Sequence, residues 1–271
     1  MNQILTFKKE VENNLEILSK DTSLQAFAME FLKESGLRNY SYNFTALGRP
    51  IIQYPQDMVA MQELIWSVRP DLIIETGIAH GGSLIANAAA LAQLDYCDAV
   101  QAGKTLDPKA SKRKVLGIDI DIRAHNRAEI EKHPMVHHID MIEGSSIAPD
   151  MVAKVYDYAK DFSTILISLD SNHTHDHVLA ELKAYAPLTS IGSYCIVYDS
   201  SIEDMPEDMY NDRPWGKGNN PKTALHKYLK YLGNEDIKAA DGKRLKLEID
   251  KRIESKILIT VAADGYLKRI S

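Results

Sequence analysis

The segment Asp71-Leu-Ile-Ile-Glu-Thr-Gly-Ile-Ala-His-Gly-Gly-Ser83 constrains the fold more than any other part of the chain. An apolar run closes on the acid Glu75, a turn carries Gly77, Gly81 and Gly82, and an alanine-rich stretch over 84–94 follows. Strand, glycine turn and helix in that order are the repeating unit of α/β sheets that hold nucleotide-like ligands. Glycines let the backbone come close to the ligand, and the first turn of the helix offers N–H groups with no partner of their own. Glu75 narrows the choice of ligand. A pyrophosphate laid over the turn would be repelled by a carboxylate at the end of the strand, whereas a ligand bearing positive charge is attracted by it.

The rest of the chain repeats the alternation. Residues 3–36 read as helical, with Ile4, Phe7, Val11, Leu15 and Leu18, then Leu24, Phe27, Phe31 and Leu32 at three-and-four spacing, and Gly36 as a stop. Residues 39–55 read as a loop leading into the core, and a helix over 56–68 ends before Pro70. Strands are expected at 72–75, 114–119, 138–143, 164–170 and 194–199, and helices near 127–132, 149–159, 177–186 and 221–232. Residues 95–114 are polar and lysine-rich and read as a surface insertion, 200–220 as a loop, and 245–252 and 256–261 as two closing strands. Alternation of this kind implies an α/β fold with a doubly wound, mainly parallel sheet. The expected division is an N-terminal helical extension with its lead-in loop, 1–55, ahead of a ligand-binding domain, 56–271.

Composition excludes several classes. A chain of 271 residues with 45% hydrophobic content can bury a large core. A net charge of −6 argues against a general nucleic-acid binder. No apolar run approaches the roughly 20 residues that span a bilayer, and the N-terminal residues lack the hydrophobic centre of a signal peptide. Cys97 and Cys195 show no paired spacing, so neither a disulfide framework nor a zinc knuckle is indicated, and a reducing cytoplasm is the default.

Ligands of such sheets sit beyond the carboxyl ends of the strands. Four expected strands end in acids, Glu75, Asp119, Asp170 and Asp199, and the third runs into Glu143. For Glu75, S-adenosylmethionine, with its ammonium and sulfonium groups, is a suitable ligand. Asp119 can accept hydrogen bonds from the two hydroxyls of a ribose; it or Asp121 could equally cap the next helix. The small residues of Glu143-Gly-Ser-Ser146 would leave room for an adenine near Ser145 and Ser146, although Gly-Ser-Ser is also ordinary turn chemistry.

The densest polar cluster is Asp170-Ser-Asn-His-Thr-His-Asp-His177. Asp170 and Asp199 could share one hard divalent cation with Ser200, Asn172 or water, a set of oxygens that suits magnesium or manganese. His175 and His177 read as capping or surface residues. His173 could take the proton of a substrate hydroxyl near neutral pH. In the polar stretch after Asp199, Arg213 and Trp215 could contact substrate, and Asn219 or Asn220 could cap the helix starting near Pro221.

Four motifs taken together, Ile-Glu-Thr-Gly-Ile-Ala-His-Gly-Gly-Ser, Leu-Gly-Ile-Asp-Ile-Asp-Ile-Arg, Leu-Asp-Ser-Asn-His-Thr-His-Asp-His-Val and Arg-Pro-Trp-Gly-Lys-Gly-Asn-Asn-Pro-Lys, resemble the cephalosporin hydroxylase / rhamnosyl O-methyltransferase family from about residue 50 to the end. That resemblance implies a seven-stranded Rossmann-like methyltransferase sheet and a metal site of the catechol O-methyltransferase type. It implies Glu75, Gly77 and Ser83 around the methionine portion of S-adenosylmethionine, with Ala79 and Gly81 in the same turn. Asp119 would lie on the ribose, Ser145 and Ser146 near the adenine, and Asp170 beside both cofactor and metal. Asp170 and Asp199 would hold magnesium, with Ser200 where the catechol-type pattern has an asparagine, and His173 would stand where it has a catalytic lysine. The activity implied is magnesium-assisted methyl transfer to a hydroxyl of a small sugar or natural-product acceptor by a homo-oligomer. Two other readings stay open: an iron-dependent hydroxylase of a secondary metabolite, which needs two histidines and a carboxylate on one metal, and a non-catalytic cofactor-binding protein.

Overall fold

A computed structural model describes residues 3–271 of the chain. Two N-terminal helices, α1 (Gln3–Lys20) and α2 (Thr22–Gly36), precede a short hairpin, β1 (Phe44–Ala46) and β2 (Arg49–Ile51). Helix α3 (Pro55–Val68) then leads into β3 (Leu72–Thr76), α4 (Gly82–Ala102), β4 (Lys114–Asp119), α5 (Ala124–Lys132), β5 (Ile139–Glu143) and α6 (Pro149–Ala159). The second half runs through β6 (Ile165–Leu169), α7 (His175–Tyr185), β7 (Tyr194–Val197), α8 (Pro221–Asn234), β8 (Leu247–Ile249), α9 (Lys251–Ile257) and β9 (Tyr266–Arg269). Among the described residues no helix is long and apolar enough to cross a membrane.

The seven-stranded sheet has the order β5-β4-β3-β6-β7-β9-β8. β5 through β7 run parallel, and β9 is antiparallel to both of its neighbours. Alternate residues of each strand feed opposite faces. Ile74, Leu116 and Ile167 pack with α6, α7 and α8 on one side; Ile73, Val115 and Leu166 pack with α3 and α4 on the other. With both faces covered, β3 and β6 are buried along their whole length, as parallel strands require. The chain leaves β3 toward β5 and returns to β6 on the far side of β3, so the strand order reverses between β3 and β6. A crevice opens beyond the carboxyl ends of these two strands, and Asp170 and Asp199 line it.

Four segments differ from the sequence reading. The N-terminal helical stretch is broken at Asp21, whose carboxylate accepts the Leu24 N–H at 2.9 Å and starts α2. Residues 44–51 form a hairpin rather than a plain loop; it packs so closely on α4 that a Cβ on Gly82 would stand 2.2 Å from the Pro50 carbonyl oxygen. The expected insertion at 95–114 is helical as far as Ala102. Only the residues after it loop out, tied back where Ser111, Arg113 and His138 donate to Asp95. The tail is corrected most. Residues 251–257 form α9, started by Asp250 accepting the Arg252 N–H at 3.1 Å, and the closing strand is β9, beyond the expected 256–261. Local apolar content at 256–261 suggested a strand, but the charged run before it takes the helix, and a turn through Leu258 ends that helix.

Candidate active site

The glycine turn between β3 and α4 is held from several sides. Asp119, at the end of β4, accepts the backbone N–H of Ile78 at 2.7 Å and of Ala79 at 3.3 Å through one oxygen. Arg49 of β2 donates to the His80 carbonyl, and Asn126 of α5 donates to that of Ala79 at 2.8 Å. Gly77 has φ +90°, and a Cβ there would lie 2.1 Å from the Asp170 carbonyl oxygen. Gly81 lies in the left-handed region at the start of α4, and a Cβ there would stand 2.4 Å from the Ile130 side chain. Gly77 and Gly81 are therefore required first by the protein's own packing. They bring the turn and the ends of β3 and β6 together before any ligand arrives.

Glu75, one residue before the end of β3, is 1% exposed. Its carboxylate accepts from the Ser83 hydroxyl and, at 2.8 Å, from the Asn87 amide on the next turn of α4. Burial pushes its pKa from 4.5 up to about 7, the two donors opposing the rise. Asn87 is a site residue that the sequence reading missed; its signal was the spacing of four from Ser83, which stacks both side chains on one face of α4.

The acids beyond β6 and β7 converge. Asp170, His173 and Asp199 each offer one ligand atom, and all three atoms lie within 4.8 Å of one another. His173 Nε2 stands 3.1 Å from Asp199 Oδ2. Burial raises the Asp170 pKa well above the carboxylate range, and the charges of Asp199 and Glu75 add to the rise. Crowded carboxylates of this kind are relieved by a cation. Asp199 itself lies at φ 54°, in a left-handed turn just beyond β7.

Ser200 does not join the cluster. Its hydroxyl is fully buried and donates to the Ala263 carbonyl at 2.6 Å, so it fastens the turn after β7 to the 261–263 segment. His173 is the third member of the cluster, beside the two carboxylates. His175 and His177 also point elsewhere, as expected of structural residues. His175 Nδ1 pairs with the Thr223 hydroxyl at 2.7 Å, and His177 Nε2 faces Glu181. Two histidines and a carboxylate on one metal are therefore not assembled among the described residues.

Ser146 is buried, and its hydroxyl donates to Glu181 at 2.6 Å, an acid on α7 that the sequence reading overlooked. The adjacent Ser145 stays partly exposed at the end of β5. The 205–219 loop is pinned across the mouth. Asn219 accepts the His175 N–H at 2.9 Å, Asn220 starts α8 with a reciprocal cap to Thr223, and the Trp215 ring meets His173 edge-on at 4.6 Å. Arg213 lies over the Trp215 ring. The resulting cavity, about 460 Å³, is lined by the glycine turn, Ser83, the Asp170–His173–Asp199 cluster, Tyr54, Tyr210 and Arg213.

A family model described as Rhamnosyl O-methyltransferase/CmcI matches residues 38–270. The chain belongs to that family. It is similar to the rhamnosyl O-methyltransferase of Mycobacterium tuberculosis (strain ATCC 25618 / H37Rv), with 29% identity over 218 residues, covering 79% of this chain and 73% of that protein. It is likewise similar to that of Mycobacterium leprae (strain TN), with 27% identity over 170 residues, 62% of this chain and 66% of that one. Among solved structures, a CmcI described as Mg-SAM shows 18% identity and a TM-score of 0.48, covering 85% of this chain and 78% of that one. As a member of the family, the protein is an S-adenosylmethionine-dependent O-methyltransferase.

Proposed function

We propose that this methyltransferase transfers a methyl group to a hydroxyl of a sugar or glycosylated natural product, with magnesium held by Asp170 and Asp199. The rhamnosyl O-methyltransferases among its relatives support a rhamnoside as the first acceptor to try. The observation that carries the reading is the convergence of Asp170, His173 and Asp199 beside the Glu75–Ser83 end of the glycine turn. The donor chemistry fits a hard cation, because two carboxylates supply oxygen ligands, and a cation would offset the burial and the neighbouring charge that raise the Asp170 pKa.

S-adenosylmethionine, when bound, supplies a methyl group on a cationic sulfur, and magnesium supplies Lewis-acid polarisation of the acceptor hydroxyl. The chain's residues do the remainder. Glu75 receives the methionine ammonium, with Ser83 beside it, while Asp119 takes the ribose hydroxyls from its fixed position over the turn. Ser145 and Ser146 border the adenine, Ser146 having its own proton committed to Glu181. His173 takes the acceptor's proton on its imidazole, and Asp199, already 3.1 Å from Nε2, stabilises the resulting cation. Trp215 closes the ring of contacts around His173 and excludes water. Positioning and electrostatics then account for most of the acceleration. Association through the outward apolar side chains of the N-terminal helices, such as Phe7, Ile17 and Phe27, and residence in a reducing compartment, which suits free Cys97 and Cys195, belong to the same proposal.

Calorimetric titration with S-adenosylmethionine and S-adenosylhomocysteine, with and without magnesium, tests the cofactor half. Methylation of methyl rhamnoside, followed by mass, tests the acceptor half. His173→Ala is expected to lower turnover by about a hundredfold, the usual yield of a general base, while leaving magnesium affinity within a few-fold. Magnesium affinity falling with turnover would make His173 a ligand and refute the base role.

A further inference from the structure

A second cavity of about 510 Å³ opens between α3 and α4, and the proposed reaction uses only its inner end, at Glu75, Ser83 and Asp170. Its walls are apolar: Met58, Met61 and Ile65 on α3 face Ala86, Ala89 and Ala90 on α4. The three alanines sit in the middle of a packed helix, yet all remain partly exposed. Larger side chains at those positions would have closed the gap against α3. The inner end is of another kind, formed by Asp57, Glu75, Asp170 and Asn87, and no lysine, arginine or histidine lines any part of the cavity. Ile51, Gln53, Ser83 and Asp170 line both this cavity and the reaction crevice, so the two meet there, and Glu75, hydrogen-bonded to Ser83, stands on this cavity's side of the junction.

The acids at the inner end are unequal. Asp57 is fully buried and already accepts from the Thr260 hydroxyl, the Val261 N–H and the Tyr266 hydroxyl, which tie α3 to β9 and to the segment before it. Asp170 belongs to the cation cluster. Glu75 accepts one donor on each oxygen, which leaves one lone pair on each for a further partner. An anion at this end would meet three carboxyls and no compensating cation. A cation would meet the one environment that favours it, with an apolar chain matched to the walls behind it.

We propose that the cavity between α3 and α4 binds an apolar organic amine, its ammonium at Glu75 and its hydrocarbon chain between Met61 and Ala90. In one respect the site rests on the proposed function: Glu75 also receives the methionine ammonium there, so amine and cofactor exclude each other. The chain would then sense a basic, apolar metabolite by competition at the inner end of its cofactor site.

Matched eight-carbon probes test this by direct calorimetry on the protein without cofactor: n-octylamine, octan-1-ol and octanoate. The amine is expected to bind, octanoate at least about tenfold more weakly, and octan-1-ol between them. n-Octylamine should raise the apparent Kd of S-adenosylmethionine in proportion to its own concentration. Ala90→Trp and, separately, Ala86→Leu fill the gap from α4 and should abolish amine binding while sparing cofactor binding. Equal binding of octanoate and amine, or amine binding unchanged in both variants, overturns the site, and amine binding without displacement of cofactor overturns its placement at Glu75. Because the amine titration needs no cofactor, a failure of the methyltransferase reading would show separately, as absence of S-adenosylmethionine binding.

Discussion

Replacing Glu75 by glutamine is expected to stabilise the ligand-free protein at alkaline pH while weakening cofactor binding. The carboxyl titrates near 4.5 in an unfolded chain and at about 7 in the fold, because burial penalises its charge more than Ser83 and Asn87 reward it. A folded-state pKa raised in this way contributes stability that is complete below pH 4.5 and is lost as the pH climbs through about 7. A gap of that size is worth about 3 kcal/mol. Glutamine carries no charge to bury, and its amide can still meet Asn87 and Ser83, so the variant avoids the loss. At roughly 2 °C per kcal/mol for a chain of this length, Glu75→Gln should melt about 6 °C above the wild type at pH 8 and level with it at pH 4.5. Differential scanning calorimetry across that range, without ligand, reads the difference directly; Asp57 titrates in both proteins and drops out. The same substitution should flatten the pH dependence of S-adenosylmethionine affinity, which in the wild type is expected to fall by up to about tenfold per unit below pH 7. A melting difference independent of pH, or a variant less stable than wild type at pH 8, would refute the argument that Glu75 is a buried charge retained for a cationic ligand.

Asp170→Asn should abolish millimolar magnesium binding in calorimetry and leave S-adenosylmethionine affinity within a few-fold; magnesium binding at wild-type strength would sink the cluster. Ser200→Ala should leave magnesium affinity unchanged, because the hydroxyl serves the Ala263 carbonyl, and should cost about 1 kcal/mol in urea unfolding; a tenfold loss of magnesium affinity would restore Ser200 to the site. Gly77→Ala places a methyl against the Asp170 carbonyl and demands φ +90° of an alanine, so a loss of about 2–4 kcal/mol, of the size expected for backbone strain with a clash, should accompany weakened magnesium binding. Wild-type values for both would show that the β3–β6 approach tolerates a side chain.

The sequence alone determined the sheet, its parallel centre and the acids at its carboxyl edge. Each of these follows from local pattern: an apolar run too hydrophobic for an exposed strand, a glycine turn, then a helix without breakers. Asp170 and Asp199 were legible for the same reason, since each lies just beyond a buried parallel strand and both line the crevice, whereas Asp119 ends a strand and turns its carboxylate to the Ile78 and Ala79 N–H groups. His175 and His177 read as capping or surface residues, and the structure instead half-buries both, against Thr223 and Glu181. The closing tail was not legible, because the apolar residues of 256–261 suit a strand, while the helix is set just before them by Asp250 and by contacts distant in sequence.

Tertiary structure alone decided which side chains share a charge environment. Glu75 is ordinary in sequence and becomes a carboxyl titrating near neutrality only because α4 seals it with Ser83 and Asn87. Ser200 follows Asp199 directly, yet faces away because the turn at Asp199 sends the next hydroxyl to residues more than sixty positions later. Asp57 reads as a first-turn acid of α3 and is instead a buried acceptor for Thr260, Val261 and Tyr266. Local periodicity reports which face of an element is apolar. It cannot report what stands opposite a polar group, and burial and partnership, which set pKa and metal affinity, are properties of that opposite surface.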